Sequence, residues 1–326
     1  MDDILNPAPL VSVAMTTYNH ERFVAQAIKS VLVQQARFPI ELVIGDDASS
    51  DDTIRHIEAL RTQAPEVVRT IIHPINIGAN RNFESVLKEC RGEFIALLEG
   101  DDYWTSANKI QVQADILLSN NNKIGTFHSV IFVDSLGKEI ATIYPNPEKV
   151  AREIGTIELL ADAIIPTASV MIRRNALMSL PDRYRNVLVS DWAMWVYASL
   201  RDPWIFFPKA MAARRVHEGG VWSGLSGAAQ RAKHIELFHH FAEDLPQPFA
   251  TVARQRLAQM HLAALERALA DNRSNDARRE LREVVRLLPY RSVGDSKRFA
   301  NALWRALSPR THQIAKRTLD LVRQNR

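Results

Sequence analysis

Short β-rich runs take turns with amphipathic stretches over the first 119 residues of this 326-residue chain. LVSVAMT (10–16) precedes RFVAQAIKSVLVQQ (22–35), IELVIG (40–45) precedes TIRHIEALRTQ (53–63), VRTIIH (68–73) precedes NFESVLKEC (82–90), and FIALL (94–98) precedes KIQVQADILLS (109–119). Strand and helix periods that alternate in this way predict βαβ units and a largely parallel sheet flanked by helices, an α/β fold. In such sheets ligands sit outside the carboxyl ends of the strands. Those ends are therefore the places to look for chemistry.

Two of the predicted strands end in carboxylates. ELVIG runs into DDASSDDT, and FIALL runs into EGDDYW. A carboxylate at the end of a buried strand loses solvation unless something positive compensates it. DDASSDDT also reads as a strand-to-helix turn in which Ser50 or Asp51 caps the helix; its functional reading has Asp47 accepting the imide N–H of a uracil-like base. EGDDYW is harder to explain as a turn. Glu99, Asp101 and Asp102 have the spacing to share a ribose hydroxyl and a divalent metal, and oxygen ligands of this kind suit Mg²⁺ or Mn²⁺ completed by water and phosphate.

From residue 125 onward the rhythm changes to candidate strands GTFHSVIFVD, TASVMIRR and WIFFP, with a helix expected from Ser190 to Leu200. After the glycine-rich GGVWSGLSG (219–227) almost everything has helical period, which puts a boundary near 224. No 34-residue repeat runs through the helical part.

With 46% hydrophobic residues the chain can bury a proper core. The single cysteine, Cys90, excludes an intrachain disulfide. The start MDDILNPAPL lacks the basic flank and apolar run of a signal peptide. A cytoplasmic setting is the expectation. Nothing approaches the roughly 18 uninterrupted apolar residues of a membrane span, so any membrane contact would be peripheral. The net charge of +4 belongs to the tail, where residues 291–326 carry nine Lys and Arg against two acidic residues, leaving 32 against 35 elsewhere. A nucleic-acid reading of the whole chain loses its footing.

VSVAMTTYNHERFVAQAIKSVLVQQ, ELVIGDDASSDDT, NIGANRNF and GEFIALLEGDDYW, in that order, resemble the nucleotide-binding half of family 2 glycosyltransferases with the GT-A fold. VSDWAMW (189–195) and RRVHEGGVWS (214–223) extend the resemblance to about two thirds of the chain. It implies a GT-A domain over residues 1–224 and a C-terminal helical domain with a basic tail over 225–326. It also implies that Thr16, Tyr18, Asn19 and Glu21 line the nucleotide site, that Asp47 binds the base, that Asp101 holds the ribose, and that Asp102 binds the metal. Glu99 stands where many relatives have the first Asp of an Asp-x-Asp triplet.

By the same resemblance, Asp191 matches the catalytic base of inverting members, where an ionised carboxylate takes the acceptor's proton. A helix N-cap is the plainer reading of that residue, unless Ser190 caps instead. His217 matches a histidine that reaches the metal or diphosphate, although a lone histidine is more often a packed side chain. Arg214 and Arg215 either pair with phosphate oxygens or face solvent. Trp222, among Gly219, Gly220 and Gly224, suits a lid over an acceptor sugar or an anchor for its loop. Trp192 and Trp195 read as a core face, Cys90 as a small buried hydrophobe, and Lys109 and Gln113 as decoration on a helix. SPRTHQIAKRTLDLVRQNR, the basic tail, is either a solvated helix end or a helix on an anionic bilayer.

The expectation is an inverting, metal-dependent transferase that moves a sugar from a nucleotide-diphosphate donor, UDP-linked, to a hydroxyl of a glycan or lipid-linked acceptor in surface polysaccharide assembly. No G-x-G-x-x-G follows a strand, which counts against a nicotinamide dehydrogenase. The rival from another class is a non-catalytic nucleotide-sugar-binding or scaffold protein that uses its helical tail for partners.

Overall fold

The computed structural model describes residues 8–177, 184, 190–220 and 222–287. The chain divides into two compact units, Met1–Gly227 and Ala228–Arg326. The basic segment 308–326 lies outside the described residues.

The first unit opens with β1 (Val11–Thr17), α1 (Val24–Leu32), β2 (Ile40–Asp46), α2 (Thr53–Arg61), β3 (Val68–Ile72), α3 (Ala79–Glu89) and β4 (Phe94–Glu99). It continues with β5 (Tyr103–Trp104), α4 (Lys109–Leu118), β6 (Gly125–Val133), β7 (Glu139–Tyr144), β8 (Glu153–Ile154) and α5 (Thr156–Ala161). A 3₁₀ turn (Thr167–Ser169) leads into β9 (Met171–Arg173) and α6 (Arg174–Leu177), and α7 (Ser190–Ser199) and β10 (Trp204–Arg215) follow. The sheet order is β3-β2-β1-β4-β9-β6-β10-β5, with β7 on β6 and β8 on β10.

Pairing is parallel from β3 through β2 and β1 to β4, and again between β6 and β10. β9 is antiparallel to both β4 and β6. That reversal decides the site. A strand running backwards begins where its neighbours end, so Thr167–Ser169 lies at the same sheet edge as Glu99. β10 is interrupted between Phe207 and Ala212; Pro208 there has no N–H to give the ladder, a common cause of bulges.

The core sits where strand side chains meet the helices. Val13, Met15, Leu42, Ile44, Leu98, Val24, Ile28, Ile57 and Ile110 form one buried cluster, each side chain contributing roughly 1.5–3 kcal/mol by burial. Trp192 and Trp195 are buried, as their helical spacing predicts, and so is Cys90. Lys109 and Gln113 differ from the expectation of surface decoration. Both are fully buried; Lys109 Nζ donates to Gln113 Oε1 at 2.7 Å and lies 4.2 Å from the Trp104 ring centre.

The second unit contains α8, which begins at its border (Gly227–Asp244), α9 (Phe249–Ala270) and α10 (Ser274–Arg286). Leu262, Leu265, Ala268, Ala277 and Val284 pack α9 against α10.

Candidate active site

The carboxyl edge of the sheet is stitched together by polar contacts between loops that are distant in sequence. After β1, Asn19 adopts a left-handed backbone (φ 53°). Its N–H donates to Ser49 Oγ at 2.8 Å, and its side-chain oxygen accepts from Ser50 N–H at 2.8 Å. Glu21 accepts from Asp52 N–H at 3.0 Å. Asn19 and Glu21 thus fix the loop after β1 to the loop after β2. Thr16 is half-buried on β1, level with Gly45 and Glu99, and its carbonyl accepts the Gly100 N–H at 2.9 Å. Tyr18 is exposed at 45%.

Asp47 is buried and accepts the N–H groups of Ile77 and Gly78 at 2.7 and 3.0 Å. Gly78 has φ 91°, a region that favours glycine, and starts α3. Asp47 therefore holds the NIGANRNF loop, and its carboxylate retains further lone pairs for another donor.

The turn after β4 separates three neighbouring carboxylates into different environments. Asp101 faces two imidazoles: its Oδ2 lies 3.0 Å from His217 Nε2 and 3.9 Å from His20 Nε2. His20, Asp101 and His217 each offer a ligand atom within 4.8 Å of the others. Asp102 turns the other way, buried, and accepts the backbone N–H of Arg215 at 2.7 Å. The resemblance assigns both Asp102 and His217 to the metal; the carboxylate that the His217 imidazole contacts in the structure is that of Asp101. The turn after β4 is closed by the Asp102 N–H donating to the Glu99 carbonyl at 3.1 Å, and within it Asp101 and Asp102 have different partners.

Electrostatics follow this geometry. Burial, then the charges of Asp101 and Asp191, push the Glu99 carboxyl up to about 7. Burial with Asp101 and Glu99 also pushes Asp102 well above the usual carboxylate range. Asp101 suffers the same burial, yet the hydrogen bond from His217 and the nearby His20 outweigh it and hold it low. Burial pulls His20 below the ordinary histidine range against the opposing charge of Asp101.

His217 follows β10 and packs its ring on Phe23, with ring centres 4.9 Å apart. Arg215 is buried, and neither of its expected roles fits. Its guanidinium donates to the Asp101 carbonyl at 2.9 Å, the Asp134 carbonyl at 3.1 Å and Gln26 Oε1 at 2.9 Å. It is a clamp that holds the turn. Arg214 lies with its guanidinium 5.8 Å from the Phe132 ring centre, and its charge partly offsets the acidity problem of Glu99 and Asp102.

Asp191 stands in the first turn of α7. Its Oδ1 accepts the Trp192 N–H at 2.7 Å and its Oδ2 accepts from Thr167 Oγ1 at 3.3 Å. Thr167 is at the carboxyl edge because β9 is antiparallel, and the charge of Asp191 reaches Glu99. Trp222 is half-buried in the turn after His217, which is closed by Gly220 N–H to the His217 carbonyl at 3.2 Å and Leu225 N–H to the Trp222 carbonyl at 3.1 Å. Sequence reasoning passed over His20, which sits between the named Asn19 and Glu21.

The donor set of this trio is one carboxylate and two imidazoles. His20 Nδ1 is buried and has no hydrogen-bond partner among the described residues. Mg²⁺ prefers an all-oxygen shell, so two imidazoles count against it and suit a divalent transition-metal ion. The residues fit a divalent cation of that kind.

The fold matches that of the GT-A glycosyltransferases. Mannosyltransferase PcManGT from Pyrobaculum calidifontis, solved in complex with GDP-Man and Mn²⁺, matches it with a TM-score of 0.58 at 18% identity, over 93% of this chain and 88% of that one. The profile of Glycosyl transferase family 2 matches residues 12–179, and the chain belongs to that family. The Mycobacterium tuberculosis protein Rv1520 is 34% identical over 230 residues, which is 71% of this chain and 65% of that protein. The Escherichia coli UDP-Glc:alpha-D-GlcNAc-diphosphoundecaprenol beta-1,3-glucosyltransferase WfgD is 30% identical over 198 residues, 60% of this chain and 70% of that enzyme. The chain thus spans just under two thirds of the mycobacterial relative. Among the described residues no helix is long and apolar enough to cross a membrane.

Proposed function

We propose that the chain is an inverting, metal-dependent glycosyltransferase that moves a sugar from a UDP-linked donor to a hydroxyl of a glycan or lipid-linked acceptor in surface polysaccharide or lipopolysaccharide assembly. The observation that carries this reading is the meeting of Asp101 with His217 and His20 at the sheet edge where Thr167 donates to Asp191. The Escherichia coli relative uses UDP-Glc and a diphosphoundecaprenol-linked acceptor, which supports the donor and acceptor classes.

In this reading Thr16, Tyr18, Asn19, Glu21 and Asp47 form the nucleotide pocket, with Tyr18 offering an exposed ring to the base. Asp101, His217 and His20 hold a divalent cation, Mn²⁺ in preference to Mg²⁺, while Asp102 and Arg215 brace the turn. The cation supplies positive charge against the diphosphate as it leaves. Asp191 takes the proton of the acceptor hydroxyl as that oxygen forms its bond to the anomeric carbon and the bond to the diphosphate oxygen breaks. A single displacement inverts the anomeric centre. Thr167 orients the Asp191 carboxylate, and Trp222 presents an aromatic face to the acceptor. The setting is cytoplasmic, at the inner face of the membrane where lipid-linked acceptors are found.

Calorimetric titration of UDP, GDP, dTDP and CDP, with Mn²⁺ and then with EDTA, tests the donor half. Binding of UDP that disappears with EDTA is expected. Preference for another nucleotide overturns the UDP assignment; the absence of any binding favours a scaffold role.

A further inference from the structure

The helical unit holds a second cluster of ligating side chains that the transferase reading does not use. His239 on α8, His261 on α9 and Glu283 on α10 each bring a ligand atom within 4.8 Å of the other two. His261 is buried, and its Nδ1 lies 2.8 Å from Glu280 Oε2, while its Nε2 lies 3.3 Å from His239 Nε2. The two rings are steeply inclined, at 64°, with centres 5.4 Å apart.

We propose that His239, His261 and Glu283 form a transition-metal site, best suited to Zn²⁺, that ties α8, α9 and α10 together. Zn–N bonds of about 2.0–2.1 Å at the tetrahedral angle put two ligand nitrogens about 3.3–3.4 Å apart. The observed 3.3 Å matches that edge. Glu280 completes the argument. By accepting the proton of Nδ1 it selects the His261 tautomer whose Nε2 lone pair faces His239, the carboxylate–histidine–metal relay found behind metal-ligating imidazoles.

Glu283 supplies the third ligand. Its Oε2 is shielded from solvent and accepts no hydrogen bond among the described residues, its cationic neighbour being Arg286 at 3.6 Å. One of its carboxylate oxygens lies within 4.8 Å of a ring nitrogen of each histidine. Two imidazoles and one carboxylate, with water in the fourth position, form a donor set that favours Zn²⁺ over Mg²⁺ or Ca²⁺.

The competing arrangement is a plain N–H···N hydrogen bond between the rings. Tag-free full-length protein distinguishes the two. To isolate the second cluster, the proposed donor-site ligands are removed by Asp101→Asn with His217→Ala. This protein is stripped with EDTA, loaded with Zn²⁺ or Co²⁺, desalted and assayed for metal by mass spectrometry. Retention of about one ion per chain is expected, with the strong visible absorption of four-coordinate Co²⁺. Adding His239→Gln should lower retention at least about tenfold and erase the absorption; Glu283→Gln, at a partly exposed position, should weaken retention by about tenfold. Circular dichroism establishes that each variant is folded, and if His239→Gln is not, Glu283→Gln carries the test. No retained metal in the double variant, or retention unchanged by the substitution in a folded protein, overturns the site.

Discussion

His217 Nε2 lies 3.0 Å from Asp101 Oδ2, a contact that joins the end of β10 to the turn after β4 across 116 positions of sequence. Nothing local requires it, because the Asp102 carboxylate next door is engaged by a backbone N–H instead. If Asp101 and His217 hold the cation, Asp101→Asn and His217→Ala should each weaken Mn²⁺-dependent UDP binding by at least about tenfold, or about 1.4 kcal/mol. Calorimetry with and without Mn²⁺ measures this. Wild-type affinity in both variants would remove the metal from this position.

Asp102 is expected to matter for stability through Arg215. Deleting its carboxylate leaves the buried Arg215 N–H without an acceptor, a loss of about 1–3 kcal/mol. Asp102→Ala should therefore lower the unfolding free energy, by less than that amount because it also removes a buried charge beside Asp101 and Glu99, whereas Asp102→Asn, which keeps an oxygen and removes the charge, should cost nothing or add stability. Denaturant unfolding of the two variants decides; equal losses would mean that the Arg215 contact is not the reason.

Much of the edge was legible because alternating periods place strand ends, and strand ends in acidic residues are visible as letters. Which of Asp101 and Asp102 faces the histidines was not, since it depends on a turn pinned by Gly100 N–H to the Thr16 carbonyl. His20 was missed for a related reason: its relevance comes from His217, almost two hundred residues later, and from the Phe23 ring that positions that histidine. Lys109 and Gln113 look like a solvated pair at helical spacing, yet the Trp104 ring and the Thr126 and Ser169 carbonyls around them supply a buried polar niche. β5 and β8, at two residues each, are too short to carry a period.

Asp191→Asn separates binding from chemistry. The amide keeps the size of the side chain, its oxygen can accept the Trp192 N–H and its NH₂ can donate to Thr167 Oγ1 in place of the present contact, but it cannot take a proton. Transfer should fall by about 10²–10⁴-fold, with UDP affinity unchanged. Single-turnover assays with the donor identified by titration measure the first quantity and calorimetry the second. A variant that retains transfer needs another base.

Gly100 has no room for a side chain. A Cβ there would stand 2.7 Å from Thr17 Oγ1 and 3.0 Å from His20 Nδ1, so Gly100→Ala must move the β1 end, the imidazole or the turn. Overpacking of this kind costs about 1–3 kcal/mol. The expected result is a lower melting temperature together with weaker Mn²⁺-dependent nucleotide binding. A loss of stability with metal dependence intact would show that Thr17 yields and His20 stays.

Glu99 makes the metal-free protein sensitive to pH in a direction that can be checked. Burial and the charge of Asp101 raise its carboxyl from 4.5 to about 7, so between those values the folded protein binds more protons than the unfolded chain. Stability from this group therefore falls as pH rises through that window, and the penalty is complete above it. Glu99→Gln removes the penalty: in EDTA its melting temperature should exceed that of the wild type at pH 8, and the difference should vanish near pH 4.5. A divalent cation at Asp101 supplies the missing positive charge, so Mn²⁺ with UDP should raise the wild-type melting temperature more at pH 8 than at pH 5. If Glu99→Gln gains nothing at pH 8, the Glu99 carboxylate is compensated by protein charges alone, and the strand end does not depend on a bound cation.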